Sequence, residues 1–230
     1  VLRNTSSSGT ISFAPKTDLQ AAGGSIEELR TTDVDGDGKP DIILPNFSLH
    51  AITIFRNTST AGNLSFAPLV NISSFTNPDE IEIGDLNNDG LVDLYFSSNQ
   101  LPNKLFINKG NFSFEDITEQ SGTASNGPWK TGVSMVDLNG DGLLDIYVSV
   151  SNRDNSFPDP NLLFVNQGLN SEGIPLFKEM ASGVSSSKMS TPFCCNNEKP
   201  LTFGLGSKEP TITLLMPDFK IKSVQGGVFP

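Results

Sequence analysis

Hydrophobic residues in this chain fall at alternate positions or in short runs, and Ser, Thr, Asn and Gly fill most of the places between them. Alternation is typical of β-strands, because successive side chains of a strand point to opposite faces. Patterns with a 3.6-residue period, which would indicate amphipathic helices, are nearly absent. The sequence therefore predicts an all-β protein whose short strands are connected by turns.

The predicted strands recur in units of about 52 residues, the offset between positions 33, 85 and 137. Each unit has a strand that enters an acidic loop (26–32, 80–84, 132–136) and a strand that leaves it (42–44, 94–96, 146–150). A third strand contains the sequence x-Phe-x-Asn, and a fourth contains Ser-Phe or Leu-Phe. Four short antiparallel strands in such a unit are typical of a β-propeller blade.

Residues 1–15 match residues 54–68 at nine of fifteen positions, so the chain is expected to open partway through a unit. We predict a half blade at 1–16 and blades at 25–73, 80–120 and 131–182. About three blades and a half cannot close a ring of roughly six to eight. We therefore expect a partial or open propeller, or further blades in a longer chain. Residues 183–230 are expected to form a degenerate blade or a separate C-terminal segment.

The acidic loops share the nine-residue pattern Asp-x-(Asp/Asn)-x-Asp-Gly-x-x-Asp, and we call them loop 1 (33–41), loop 2 (85–93) and loop 3 (137–145). If the loop wraps around an ion, the side chains at positions 1, 3, 5 and 9 and the main-chain carbonyl of position 7 point inward, and Gly at position 6 permits the turn. The predicted metal ligands are Asp33, Asp35, Asp37, Lys39 and Asp41; Asp85, Asn87, Asp89, Leu91 and Asp93; and Asp137, Asn139, Asp141, Leu143 and Asp145.

Oxygen ligands without a nearby His or Cys favour Ca²⁺ over zinc or copper, so about three structural calcium ions are expected. The alternative is a set of turns with no metal, which clustered carboxylates disfavour because they repel one another. An EF-hand is a second alternative. It is disfavoured because Leu44, Phe96 and Val148 stand where its bidentate Glu belongs, and because the flanking segments are strand-like.

The net charge of −11 is concentrated in these loops, which hold ten of the 26 acidic residues and leave the rest of the chain at about −1. The Lys and Arg residues are scattered, so a nucleic-acid partner is not expected. The sequence contains no apolar run long enough for a membrane span. The two cysteines, Cys194 and Cys195, are adjacent and indicate no disulfide framework. The sixteen Phe residues are interpreted as packing between blades in preference to a platform for sugars.

The loop sequences DVDGDGKPDI, DLNNDGLVDL and DLNGDGLLDI, each followed by an apolar strand, resemble FG-GAP or VCBS repeats, the blades of integrin-α-like β-propellers. The resemblance covers roughly residues 1–182. The third unit is similar to that of secreted bacterial VCBS proteins related to cartilage acidic protein. The tail resembles an ASPIC/UnbV domain at 203–206 and 217–218, although Met216 stands where such domains usually carry Trp. The resemblance implies a calcium-loaded extracellular propeller used for adhesion or recognition.

We therefore predict a non-catalytic, calcium-binding adhesion or recognition module, secreted or at the cell surface, with a protein or glycan ligand. The alternative is the propeller portion of a secreted polysaccharide-degrading enzyme, although no pair of carboxylates stands out and His50 is the only histidine. Loops on the face opposite the metal loops are free of the metal constraint and could contact a ligand. The candidate contacts are Trp129, Arg153, Asp154, Phe157 and Asp159.

Overall fold

The computed structural model describes residues 1–21, 23, 26, 28–73, 77–98, 101–125, 130–150 and 161–181, and two short strands at 204–206 and 209–211. The described chain is all-β, as predicted, and is built from three four-stranded antiparallel sheets that are consistent with propeller blades. In each sheet the strands follow one another in chain order. Neighbouring strands are antiparallel, so every sheet is a simple up-and-down meander.

Blade 1 consists of β1 (Arg30–Thr32), β2 (Asp41–Asn46), β3 (Ala51–Phe55) and β4 (Val70–Ser73). Blade 2 consists of β5 (Pro78–Gly84), β6 (Asp93–Ser98), β7 (Lys104–Asn108) and β8 (Phe114–Asp116). Blade 3 consists of β9 (Lys130–Val136), β10 (Asp145–Val150), β11 (Leu162–Leu169) and β12 (Pro175–Ala181). A separate two-stranded sheet contains β13 (Gly204–Gly206) and β14 (Glu209–Thr211).

Three local predictions differ from the structure. The first strand of blade 1 begins at Arg30, four residues later than the predicted 26. Phe66 of the predicted fourth strand forms only an isolated bridge to Asn57, and the paired strand β4 follows it at Val70–Ser73. A four-residue helix, α1 (Thr118–Ser121), follows blade 2 and was not predicted. Its Gly122 cap adopts φ 77°, which a residue with a Cβ rarely does.

Blade 2 is buried on both faces by its neighbours. Its strands alternate so that Ile81, Leu94, Phe96 and Phe106 pack on blade 1, where they meet Ile43, Ile52 and Ile54. The intervening residues Tyr95, Leu105 and Ile107 pack on blade 3, where they meet Ile146, Val148, Phe164 and Phe177. The period-two pattern of the sequence thus separates two inter-blade cores rather than a core and a solvent face.

The Phe residues confirm the packing interpretation in these cores. Phe96 and Phe106 stack with their ring centroids 5.7 Å apart, and Phe164 is fully buried between blades 2 and 3. Each buried ring of this size contributes roughly 2–3 kcal/mol to the stability of a thin sheet. Inter-blade contact is therefore a main source of stability for the array.

The N-terminal half unit repeats the hairpin of blade 1. Bridges Asn4–Phe13 and Ser7–Thr10 match bridges Asn57–Phe66 and Thr60–Asn63. The guanidinium of Arg3 donates to the Gly62 carbonyl at 2.6 Å, which joins the two hairpins. The repeat seen in the sequence is therefore a repeat of backbone pairing.

Apart from β13 and β14, the segment 183–230 lies outside the described residues, as do both cysteines, so the prediction for this segment stays a prediction. The same holds for the proposed blade boundaries, although the sheets span 30–73, 78–116 and 130–181. No helix in the described part of the chain is long and apolar enough to cross a membrane.

Candidate metal centres

The three acidic loops occupy the same place in successive blades, between the first and second strands. Position 9 of each loop, Asp41, Asp93 or Asp145, is the first residue of the second strand. Each loop is thus held at both ends by a paired strand, and its other eight residues make the turn. Three copies of one loop therefore stand at equivalent positions in the three sheets.

A carboxylate at position 1 organises the backbone of each loop. The carboxylate of Asp33 accepts the amide hydrogens of Gly36 at 2.8 Å, Asp37 at 3.1 Å and Gly38 at 2.6 Å. Asp137 accepts the three equivalent amides of loop 3 at 2.7–3.2 Å, and Asp85 accepts those of Asp89 at 3.1 Å and Gly90 at 2.9 Å. Such a concave run of amides around an oxygen is an anion-binding nest.

Glycine at position 6 makes this turn possible. Gly38, Gly90 and Gly142 adopt φ values of 83°, 87° and 88°, which side chains with a Cβ rarely adopt. Position 4 has the same conformation, with φ 78° at Gly36 and at Gly140, and 58° at Asn88, a residue that tolerates this region. The predicted role of the position 6 glycine is consistent with the backbone geometry.

The structure brings the carboxylates of Asp33, Asp35 and Asp37 together, with one oxygen from each lying within 4.8 Å of the others. Among the described residues, this is the one such group of acidic, His or Cys side chains. In loops 2 and 3 the third position is Asn, and its side-chain amide donates to the position 5 carboxylate at 2.9 Å (Asn87) and 2.8 Å (Asn139). The oxygen donor set of all three loops fits a hard divalent cation.

Loop 1 differs because basic side chains lie on its carboxylates. The Arg56 Nε is 2.6 Å from an Asp35 oxygen, and the Lys39 ammonium is 3.0 Å from an Asp37 oxygen. The side-chain hydrogen bond from Lys39 lowers the pKa of Asp37 below its ordinary value. No ion pair of this kind reaches the carboxylates of loops 2 and 3 among the described residues. Loop 1 is therefore partly neutralised by the protein itself.

The position 9 aspartates are buried and act as anchors for the backbone. Asp41, Asp93 and Asp145 are fully buried. Each accepts one amide hydrogen from position 2 of its loop and one from the Asn of the x-Phe-x-Asn pattern, in or just beyond the third strand. In blade 2 these donors are Leu86 at 2.8 Å and Asn108 at 3.0 Å. Burial raises the pKa of all three carboxyls, that of Asp93 to about 7.

A bound cation would favour the charged form of these carboxyls and lower their pKa again. Because a carboxylate oxygen has two lone pairs, the amide contacts leave capacity for an ion. That these aspartates and the carbonyls of Lys39, Leu91 and Leu143 bind an ion stays a prediction.

Two kinds of loop-supporting residue escaped the sequence analysis. Position 2 of each loop is apolar, and Val34 and Leu86 are fully buried within the inter-blade cores. The recurring x-Phe-x-Asn pattern places an Asn in or just beyond the third strand, and the side chains of Asn108 and Asn166 are buried against two loops each. The apolar residue inside an acidic motif and the recurring Asn were signals that could have identified them.

The residues predicted to contact a ligand on the opposite face cannot be compared with the structure. Trp129, Arg153, Asp154, Phe157 and Asp159 all lie outside the described residues.

Comparison with known proteins agrees with the fold and the loops. The FG-GAP-like repeat family model matches residues 33–96 and 85–148, which together cover half of the chain. Each match runs from one acidic loop into the strands around the next. The chain belongs to the FG-GAP-like repeat family.

The chain is also similar to cartilage acidic protein 1 from Xenopus tropicalis, with 26% identity over 161 residues. That alignment includes 65% of this chain but only 24% of the relative's length. The chain therefore corresponds to about a quarter of this distant relative.

Proposed function

We propose that this chain is a calcium-stabilised, non-catalytic recognition module of an extracellular or cell-surface protein. The observation that supports it is the threefold recurrence of one oxygen-rich loop, with the same backbone nest and the same buried position 9 aspartate, in successive blades. In this proposal the ions bind the loops and hold the first two strands of each blade at a fixed separation.

The proposed ion is calcium because the donors are carboxylates, amide oxygens and backbone carbonyls, and because a flexible loop suits its variable coordination better than the octahedron of magnesium. Calcium would compensate the repulsion between the carboxylates of loops 2 and 3. The proposed binding residues are the side chains of positions 1, 3, 5 and 9 and the carbonyl of position 7. Ion binding supplies stability by mass action, about 2.7 kcal/mol for each site at 100 times its dissociation constant.

The proposed extracellular location suits loops of this kind, because extracellular modules bind calcium with dissociation constants as weak as roughly 10⁻⁴–10⁻³ M. The relative's name describes an acidic cartilage protein, and this chain is also acidic, with a net charge of −11. We propose that its ligand is an extracellular protein or glycan, bound on the face opposite the metal loops. The residues proposed for that contact remain Trp129, Arg153, Asp154, Phe157 and Asp159.

Calorimetric titration of calcium into chelator-stripped full chain tests the metal proposal. About three sites are expected, together with a melting temperature that rises by several degrees when calcium is added. Asp89→Ala should remove one site, whereas Glu172→Ala, an exposed carboxylate outside the loops, should leave all of them. A folded chain that takes up no calcium would overturn the proposal.

Turnover assays test the non-catalytic part. The calcium-loaded chain is incubated with acidic and neutral polysaccharides, and chain length is followed by size-exclusion chromatography. Binding without a change in polysaccharide length is the expected result. If the polysaccharide is shortened with the protein and not in controls without it, the chain would instead be the propeller portion of a polysaccharide-degrading enzyme.

A further inference from the structure

Two buried asparagines each contact the acidic loops of two successive blades. The side-chain amide of Asn108 donates to the Val92 carbonyl of its own loop 2 at 3.1 Å and to the Val34 carbonyl of loop 1 at 2.9 Å. The amide of Asn166 donates to Leu144 of loop 3 at 3.2 Å and to Leu86 of loop 2 at 3.3 Å. Each asparagine thus uses both amide hydrogens, one for each loop.

Two of the four accepting carbonyls belong to residues that make further contacts on both sides of the loop. Val34 and Leu86 occupy position 2 of loops 1 and 2, and their side chains are buried in the inter-blade cores. Their amide hydrogens are bound by Asp41 at 3.0 Å and by Asp93 at 2.8 Å. A shift of the loop backbone at position 2 therefore moves the acceptor of the neighbouring blade's asparagine.

The bonds form a continuous path through three loops. Loop 1 contacts Asn108, whose backbone amide is bound by Asp93 of loop 2 at 3.0 Å. Loop 2 in turn contacts Asn166 through Leu86, and the backbone amide of Asn166 is bound by Asp145 of loop 3 at 2.9 Å. Buried hydrogen bonds of this kind are costly to break, so an arrangement of one loop biases the next.

The equivalent residue of blade 1 provides an internal comparison. Asn57 donates to the Pro40 carbonyl of its own loop at 2.9 Å, its backbone amide is bound by Asp41, and its side chain is half-buried. Its bonds to the described residues stay within blade 1. It therefore shares the local role of Asn108 and Asn166 but not the link to a preceding loop.

We propose that Asn108 and Asn166 are positioning residues that couple ion binding between adjacent acidic loops. This inference rests on the proposed function, because it requires that the loops bind calcium. An ion that orders one loop fixes its carbonyls at positions 2 and 8. The position 8 carbonyl accepts from the asparagine of the same blade, and the position 2 carbonyl accepts from the asparagine of the next blade. Occupation of one loop then raises the affinity of its neighbour, within the range of about 5–150-fold that is typical of coupled sites.

The test is a calcium titration of the full chain followed by amide NMR, with Gly38, Gly90 and Gly142 as separate reporters of the three loops. Asp89→Ala removes the ion from loop 2. It is expected to weaken binding at loop 1 and at loop 3 by about fivefold or more. If loops 1 and 3 keep their affinities in this variant, the coupling does not exist.

The second arm asks whether the asparagine carries the coupling. In an Asn108→Ala background, Asp89→Ala should no longer affect loop 1, whereas in an Asn57→Ala background it should still do so. Equal behaviour of the two backgrounds would overturn the assignment. Should Asn108→Ala fold poorly, Asn166→Ala provides the same comparison between loops 2 and 3, and Asn108→Ser is the milder variant.

A measurement without metal separates the inference from the proposed function. In chelated protein, hydrogen exchange at the Val34 amide should accelerate several-fold in Asn108→Ala and remain unchanged in Asn57→Ala. If the unaltered chain binds no calcium, the proposed function fails and the coupling of ion sites fails with it. If calcium binds to three independent loops, only the coupling fails.

Discussion

Loops 1 and 2 have the same spacing, the same glycine turn and the same position in a blade, yet they balance their charges differently. Loop 1 carries four aspartates and has Arg56 and Lys39 against two of them. Loop 2 carries three and has no such ion pair among the described residues. Burial raises the pKa of the position 9 carboxyl in both loops, to about 7 for Asp93. A shared motif thus does not imply a shared dependence on an ion, and under the proposed function we expect loop 2 to gain more stability from a bound cation than loop 1.

The largest effect is expected at the base of the two loops, where they should behave alike. Asp41→Ala and Asp93→Ala each leave two amide hydrogens without an acceptor, both of them buried in blade 2 and one of them buried in blade 1. The free energy of unfolding should fall by about 2–4 kcal/mol in both, measured by urea denaturation with chelator present. The exposed Asp89→Ala is the control and should change it by less than about 1 kcal/mol. If Asp41→Ala leaves the free energy of unfolding unchanged, loop 1 is anchored in another way.

The pH dependence of stability sharpens the comparison. In the folded, chelated chain Asp93 keeps its proton up to about pH 7, whereas the unfolded chain releases it near the ordinary value of 3.8. The folded state therefore binds more protons between these values, and the free energy of unfolding should fall by roughly 3 kcal/mol as pH rises from 4 to 7.

Urea melts at a series of pH values, with and without calcium, measure this dependence. Calcium should flatten this pH dependence because the ion favours the charged carboxyl. In chelated protein, Asp93→Asn should remove the part of the pH dependence that comes from Asp93. An equal slope in Asp93→Asn and in the unaltered chain would contradict the assignment of this dependence to loop 2.

A smaller effect is expected in the stabilisation by calcium. An ion entering loop 1 must compete with Arg56 and Lys39, so the gain in stability should be lower there than in loop 2. The rise in melting temperature on adding calcium should therefore drop more in Asp89→Ala than in Asp37→Ala, by a few degrees for about 1 kcal/mol. Differential scanning calorimetry at one calcium concentration measures both, and a larger drop in Asp37→Ala would reverse the comparison.

The smallest effect is expected from the counter-ion itself. Arg56→Gln removes the guanidinium from Asp35 and should tighten calcium binding at loop 1 by a few-fold, because a partly exposed ion pair contributes only about 0–1 kcal/mol. Arg3→Gln is the matched control, since Arg3 is the equivalent residue of the N-terminal half unit and donates to the Gly62 carbonyl. Site-resolved titration should show loop 1 unchanged in that control, and unchanged affinity in Arg56→Gln would show that the guanidinium does not compete.

The sequence predicted the fold well where a residue's neighbours in the chain decide its conformation. Alternating apolar residues placed the strands of blades 2 and 3 within two residues of the observed bounds at their acidic loops. Prediction was poorer at the start of blade 1, where β1 is three residues long, and at Phe66, because pairing partners rather than local preference decide which residues of a hairpin join the sheet.

The composition and turn geometry of the loops could also be read from the sequence, since oxygen donors and a left-handed glycine are local requirements. The sequence therefore determined by itself that this chain repeats, that its repeats are blade-sized sheets, and that each carries an acidic loop. Tertiary structure alone decided which charges and carbonyls meet those loops. Arg56 lies 21 residues from Asp35 along the chain, and the amide of Asn166 reaches a carbonyl 80 residues away. Contacts over such separations depend on how the blades pack, and no local spacing encodes them.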